Sequence, residues 1–147
     1  MQTYTNDRAT EQYLAQRIAA ASQEQLLAML LEGAQRFLAL GVAALERKDV
    51  QSKTRYLHRT AEVVSELILW LDLEGGGELT QNMSRIYDWW MRELYEASRV
   101  NDSARLRAVG VQMGEIRSAV EEWLRKHHPE VPSPQPAPSP GIDGMMG

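Results

Sequence analysis

The histidine and carboxylate residues are the first candidates for chemistry, because helical proteins bind metals through Glu-x-x-His pairs on facing helices. The chain contains three histidines, His58, His127 and His128, and none of them follows a glutamate by three residues. His58 lies between Arg55 and Arg59, a basic neighbourhood that disfavours a bound cation. We therefore interpret His58 as a surface or boundary residue and expect neither a metal site nor another cofactor.

Other catalytic patterns are also missing from the sequence. The chain has no cysteine, so it offers neither a thiol nucleophile nor a disulfide framework. The glycines at 75–77 follow a predicted helix, whereas a phosphate-binding loop joins a strand to a helix. These observations predict a protein that is not an enzyme.

Large apolar side chains outside the predicted core are the more informative groups. At about 100° per residue, several of them lie roughly 80–140° from the centre of the core stripe of their helix. Such rows are the usual form of a groove that accepts a partner helix. The alternative is that they are ordinary exposed apolar residues, partly covered by the N-terminal segment. The candidate contact residues are Met29, Leu40, Tyr56, Val63, Leu67, Trp70, Trp89, Met91 and Tyr95. Tyr87 lies near the stripe edge and fits core packing and partner contact equally well.

Four long helices must position these side chains. All six prolines lie between Pro129 and Pro140, so the preceding chain permits uninterrupted helices. Ser22 and Gln25 have the spacing of a capping box, and Asp49 and Asp102 are further candidate N-caps. The predicted helices are 22–48, 50–73, 78–100 and 103–127.

Short connections between these helices predict an all-α fold, an antiparallel up-down four-helix bundle. Apolar residues spaced by three and four indicate the core face of each helix. We expect Gly33 to mark a close approach of two helices, and we expect two residues at helix ends, Leu79 and Trp123, to be buried. The other predicted core residues are Leu27, Leu30, Ala34, Phe37, Leu38, Gly41, Leu45, Leu57, Ala61, Val64, Ile68, Leu71, Met83, Ile86, Trp90, Leu94, Ala97, Leu106, Val109, Met113, Ile116 and Val120.

The two ends of the chain differ from this central domain at 22–127. Residues 1–21 contain Tyr13 and Ile18 and predict a loosely docked helical arm. Residues 128–147 are rich in Pro and Ser, which predicts a disordered tail. A net charge of −4 and scattered Lys and Arg argue against nucleic acid as a partner. No apolar run approaches the ~18 residues of a membrane span, so we expect no membrane insertion and a cytoplasmic location.

Several motifs resemble the FliS family of flagellar export chaperones. The stretch 29–34, Met-Leu-Leu-Glu-Gly-Ala, is similar to the family's Met-Leu-Tyr/Phe-Asp-Gly-Ala. The stretch 71–79, Leu-Asp-Leu-Glu-Gly-Gly-Gly-Glu-Leu, followed by Asn82-Met83 and Ile86-Tyr87-Asp88, is the most specific part of the match. The family's Tyr-Met is replaced here by Trp89-Trp90, and its last-helix tryptophan by Trp123, one turn later. The resemblance covers most of the chain from Tyr13 to Trp123.

The resemblance implies binding of the disordered C-terminal segment of flagellin, which prevents its premature polymerisation, and delivery to a component of the flagellar export gate. It adds Asn82 to the candidate contact residues and implies that the arm, through Tyr13 and Ile18, covers part of the groove. Other flagellar proteins are further candidate partners, and the free chain is expected to be a monomer or weak dimer. The alternative hypothesis is a homo-oligomeric structural or adaptor protein without a client, in which Tyr56, Val63, Leu67 and Trp70 form the interface.

Overall fold

The structure, a computed structural model, describes residues 8–16, 21–74 and 77–127, with the side chains of 72–74 excepted. Within these ranges all regular structure is helical and no strand occurs. The helices are α1 (8–16), α2 (Gln23–Glu46), α3 (Val50–Glu74), α4 (Glu78–Arg99) and α5 (Ser103–His127). The four long helices begin and end within two residues of the predicted boundaries.

The predicted N-caps are present. Ser22 and Gln25 form a reciprocal capping box, in which the Gln25 N–H donates to Ser22 Oγ at 3.2 Å and the Ser22 N–H donates to Gln25 Oε1 at 2.7 Å. Asp49 Oδ1 accepts from the N–H of Ser52 at 3.1 Å, and Asp102 Oδ1 accepts from the N–H of Arg105 at 3.2 Å. Each cap satisfies a backbone donor that lacks a partner within its helix.

The α2–α3 and α4–α5 connections have the same backbone geometry. Lys48 and Asn101 adopt left-handed conformations, with φ values of 62° and 56°. In the first turn the N–H of Asp49 donates to Ala44 O at 2.9 Å, and in the second the N–H of Asp102 donates to Ala97 O at 2.8 Å. A hydrogen bond that joins the first and last of six residues in this way is typical of a Schellman motif. Helices α2 and α4 therefore end with the same type of turn, after which the chain changes direction.

The core lies between α2, α3, α4 and α5. Helix α2 packs against α3 and α5, and α4 packs against the same two helices. Leu38 lies beside Gly110, and Gln35 reaches Gly114 four residues later, so the contacts of α2 and α5 run in opposite directions. The fully buried core members include Leu31, Leu38, Val64, Leu67, Tyr87, Trp90, Leu106, Val109 and Met113.

Four predictions about the core are wrong. Leu79 is 75% exposed, because it lies in the first turn of α4, where the neighbouring positions 78, 81 and 82 are exposed as well. Trp123 is 40% exposed and stacks on His127 at 4.3 Å between ring centroids, while Leu124 is buried. Leu67, predicted beside the core, is 1% exposed, because α3 packs against both α2 and α4 and so has a wide buried face.

The fourth error concerns glycine. A Cβ at Gly33 would meet nothing within 4 Å, so none of the described helices approaches this residue closely. The close approach is at Gly41, where a Cβ would lie 2.6 Å from Leu57 Cδ2. The missing side chain of Gly41 therefore permits tight packing of α2 on α3.

The chain ends are described only in part. All residues of α1 are exposed, including Tyr13 and Leu14. A helical segment is thus confirmed near Tyr13, whereas Ile18 and the predicted tail at 128–147 lie outside the described residues.

Helix α2 is long and apolar enough to cross a membrane by length and composition alone, contrary to the sequence-based expectation that no such run exists. Its Ala28, Leu31, Ala34, Leu38 and Val42 are buried, and the helix packs against two others. We interpret its apolar composition as that of a central core helix, since such helices meet the same criterion.

The two glycines of α2 provide a matched stability test. Gly41→Ala should destabilise the fold by about 1 kcal/mol, because overpacking against buried Leu57 outweighs the gain in helix propensity. Gly33→Ala should stabilise it by up to about 1 kcal/mol, because only the propensity gain applies. Urea unfolding followed by circular dichroism at 222 nm measures both changes. Equal effects of the two substitutions would contradict the assignment of Gly41 as the contact point.

Tyr87 should give the fold a distinctive sensitivity to alkali. Burial raises the pKa of its hydroxyl to about 12, compared with a value near 10 in an unfolded chain. The raised pKa means that the contribution of neutral Tyr87 to stability is complete below pH 10 and is lost as the pH rises to about 12. Over this interval the wild type should lose up to about 2 kcal/mol more unfolding free energy than Tyr87→Phe. Parallel pH profiles of the two proteins would refute the prediction.

Candidate functional site

The contacts of Lys53 fix how α3 and α4 lie against each other. Its Nζ donates to Ser98 O at 3.2 Å and to Asn101 Oδ1 at 2.9 Å, so the beginning of α3 lies beside the end of α4. The other flank of α4 faces α5, where Arg105 Nε and Nη2 donate to the two carboxylate oxygens of Glu93 at 3.0 and 2.6 Å. These contacts distinguish the two sides of α4.

A row of apolar side chains lies along the boundary of α3 and α4. At about 100° per residue, Met91 lies within about 20° of Ser98 and thus on the flank that faces α3. On α3, Lys53 contacts the end of α4. Val63 lies about 80° from Lys53, on the side away from Leu57, which contacts α2, and thus on the flank that faces α4. The residues on the two facing flanks define what we call the α3–α4 groove, namely Tyr56, Val63, Trp70, Met91 and Tyr95.

The burial of the groove residues is intermediate, with one exception. Tyr56, Val63, Trp70 and Met91 are half-buried, and Val63 and Met91 pack against the core. Tyr95 is 76% exposed. The groove therefore exposes part of a row of large side chains whose inner portions are already fixed by the core, which is the arrangement of a preformed apolar binding surface.

Two predicted contact residues belong to the interior. Leu67 is on the α4-facing side of α3 but is buried, and Tyr87 is only 2% exposed. The ring of Tyr87 lies 5.2 Å from that of Trp90, whose indole Nε1 donates to Gln112 Oε1 at 2.5 Å. The ambiguity of Tyr87 is thus resolved in favour of core packing, and both residues support the groove from the inside.

The remaining predicted contact residues are not brought to this groove. Asn82 and Trp89 lie on the opposite flank of α4, and the side-chain oxygen of Asn82 accepts from Arg85 at 3.3 Å. Met29 and Leu40 lie on the side of α2 that turns away from its core residue Leu38. A role of these four residues in partner binding stays a prediction, as does the role of Tyr13 in covering the groove.

Sequence reasoning missed the arginines at the groove. The guanidinium of Arg55 lies 5.0 Å above the ring centre of Tyr56, and Arg59 and Arg99 are exposed. The i, i+4 spacing of Arg55 and Arg59 was visible, but we read it only as the environment of His58. The sequence-based set of exposed apolar residues also lacked Val50, Leu69 and Val111.

The ion pair on the α5 side of α4 is partly buried. The side chain of Glu93 is 12% exposed and that of Arg105 36%. A hydrogen bond from Arg105 lowers the pKa of the Glu93 carboxyl below its usual value, so the pair stays charged in mildly acidic solution. Charge-assisted, bidentate pairs of this kind constrain geometry, and this one holds the end of α4 to the start of α5.

No cluster of three or more potential metal ligands occurs among the residues the structure describes. The chemistry that these residues offer is apolar and aromatic contact, with arginine at the edge.

Comparison with known proteins agrees with this picture. The family described as flagellar protein FliS matches residues 5–127. The flagellar secretion chaperone FliS of Salmonella typhimurium is 33% identical over 107 residues, which are 72% of this chain and 77% of the relative. That of Campylobacter jejuni is 29% identical over 125 residues, 85% of this chain and 95% of the relative. That of Vibrio cholerae is 28% identical over 112 residues, 76% and 82% of the two chains. The chain therefore belongs to the FliS family of flagellar secretion chaperones.

Proposed function

We propose that this protein is a cytoplasmic export chaperone that binds the C-terminal segment of flagellin, prevents its premature polymerisation and delivers it to the flagellar export gate. The observation that carries the proposal is the row of partly exposed apolar side chains along the α3–α4 groove. The membership of the chain in a family of secretion chaperones supports it.

In this proposal α2 to α5 form an antiparallel up-down four-helix bundle. The Lys53 contacts and the Gln35 contacts support opposite directions for the pairs α3–α4 and α2–α5. The bundle presents the groove as a rigid surface, because each groove residue is anchored on a long helix whose other face is buried. A preformed surface lowers the cost of ordering on the chaperone's side of the complex.

The client would supply the disordered partner. A disordered segment that folds as a helix in the groove buries its apolar face and loses its conformational freedom. The ordering cost reduces the net affinity for the area buried, which suits a cargo that must be released for export. Binding would also occupy the apolar residues through which the segment would otherwise associate.

The N-terminal arm is proposed to cover part of the groove until the client binds. Every residue of α1 is exposed, so this part of the arm is not built into the core and its removal from the bundle would not disturb the core. Tyr13 is the described residue that we assign to this role, and Ile18 is the second residue proposed for it.

The competing hypothesis is that the apolar row joins copies of this chain and that no client exists. Analytical ultracentrifugation of the purified protein with and without flagellin from the same genome separates the two. A chaperone should be mainly monomeric alone and should form a complex with flagellin. A stable oligomer that does not bind flagellin would favour the alternative.

Substitutions in the groove should uncouple binding from folding. Met91→Glu and Tyr95→Glu should weaken flagellin binding at least tenfold and leave the helical circular dichroism signal unchanged, because neither side chain is fully buried. Isothermal titration calorimetry with the C-terminal segment of flagellin measures the effect.

Matched controls define what these results mean. Val111→Glu makes the same change at an exposed apolar residue of α5 and should bind as the wild type does. Leu67→Glu and Leu106→Glu should instead unfold the protein, since an unpaired buried charge costs several kcal/mol. If the groove variants bind flagellin normally, the groove is not its binding site.

A further inference from the structure

The charges beside the α3–α4 groove change sign along its length. On α3, Arg59 lies about 40° beyond Val63 on the outer side, and Glu66 lies within about 20° of Arg59. On α4, Arg99 lies about 40° beyond Tyr95, and Asp88 lies within about 20° of it on the same outer side. All four of these charged residues are exposed, and so is Arg92, which lies within about 20° of Arg99 and about 60° beyond Tyr95.

The register of the two helices places charges of the same sign toward the same end of the groove. The beginning of α3 lies beside the end of α4, where Lys53 contacts Ser98 and Asn101. Arg59 and Arg99 are therefore both toward this end of the groove, and Glu66 and Asp88 are both toward the other. The two edges of the groove thus have the same polarity, basic at one end and acidic at the other.

Arg59, Glu66, Asp88 and Arg99 form no ion pair within the described part of the chain. No ion pair there involves Arg59 or Arg99, in contrast to Arg105, which pairs with Glu93 and Glu96. The same is true of Glu66 and Asp88, whereas a carboxylate oxygen of the neighbouring Glu62 lies 3.6 Å from His58 Nε2. Arg55 adds to the basic end by lying over Tyr56. Like charges left unpaired on facing edges oppose each other, and an occupant of opposite charge would relieve this repulsion.

We infer that the α3–α4 groove binds an amphipathic helix with acidic residues at the end facing Arg59 and Arg99 and basic residues two to three turns away, facing Glu66 and Asp88. The spacing follows from the helix rise, since Arg59 and Glu66 are seven residues or roughly 10 Å apart, and Asp88 and Arg99 are eleven residues or roughly 16 Å apart. This inference rests on the proposed function and adds the charge pattern and the direction of the bound segment.

A client helix fits the groove better than a second copy of the chain does. The apolar surface of the groove consists of a single row on each helix, which includes Val63 on α3 and Met91 on α4. A stable homodimer commonly buries well over 1,000 Å² of continuous surface. The apolar row supplies the attraction for a bound helix, while the charges at its edges select its sequence and direction.

Charge reversal at the basic end tests the inference. The double variant Arg59→Glu, Arg99→Glu should bind the C-terminal segment of flagellin from the same genome about tenfold more weakly than the wild type does. The control is Arg36→Glu, Arg125→Glu, which changes the net charge equally at exposed residues of α2 and α5 and should bind within about twofold of the wild type. Circular dichroism confirms that both variants are folded.

Salt dependence provides an independent readout. Raising NaCl from about 50 to about 500 mM should weaken wild-type binding by screening these exposed charges. The same increase should have a smaller effect on Arg59→Glu, Arg99→Glu. A reduced salt effect is not expected from a variant that only disturbs the packing of α3 against α4.

The outcomes separate this inference from the proposed function. If the wild type and both double variants bind the segment equally, the charge pattern is overturned and the chaperone function stands. If the wild type does not bind the segment at all, the proposed function fails and the inference fails with it. If the wild type sediments as a dimer that Arg59→Glu, Arg99→Glu dissociates, the occupant is a second copy and the inference is overturned.

Discussion

The contact of Gly41 with Leu57 sets how closely α2 and α3 can pack. Because Gly41 has no side chain, the branched end of Leu57 fills the space beside the α2 backbone. Helix α5 approaches the same helix at Gly110 and Gly114, where Leu38 and Gln35 take the corresponding space. Glycine therefore permits the close packing of α3 on α2 at Gly41, and α5 also presents glycines to α2. Helix α4 instead contributes the bulky Tyr87 and Trp90 to the interior. Because these side chains are large, α4 packs less closely against its neighbours than α2 does. The groove lies along α4, the less closely packed helix.

The positions of the long helices were predictable because their signals are local. Ser22, Asp49 and Asp102 cap helices in the structure as their types and spacing predicted. The core face of α5 was also correct at Leu106, Val109 and Met113. Periodicity failed where the neighbours of a residue decide its burial. Leu79 has the spacing of a core residue but lies in an exposed turn, and Leu67 departs from the stripe but lies between two packed helices.

The candidate groove was predictable in part for the same reason. The row of Tyr56, Val63 and Trp70 is a property of one helix, and its separation from the core stripe was visible in the sequence. That Met91 and Tyr95 face this row, and that Trp89 does not, depends on the pairing of α3 with α4. The arginines show the limit most clearly. Arg59 and Arg99 are 40 residues apart in the chain, and only the register fixed by Lys53 brings them to one end of the groove.

The repeated Schellman turns at Lys48 and Asn101 also bear on how the chain reaches its native state. Each turn closes a helical hairpin, α2–α3 or α4–α5, from residues that are near neighbours in sequence. Contacts of this kind require little loop-closure entropy, and topologies rich in them fold rapidly. Among the packed helix pairs, only α2 and α5 are far apart in the chain. Helices α3 and α4, which carry the groove, are also consecutive in the chain, since α3 ends at Glu74 and α4 begins at Glu78.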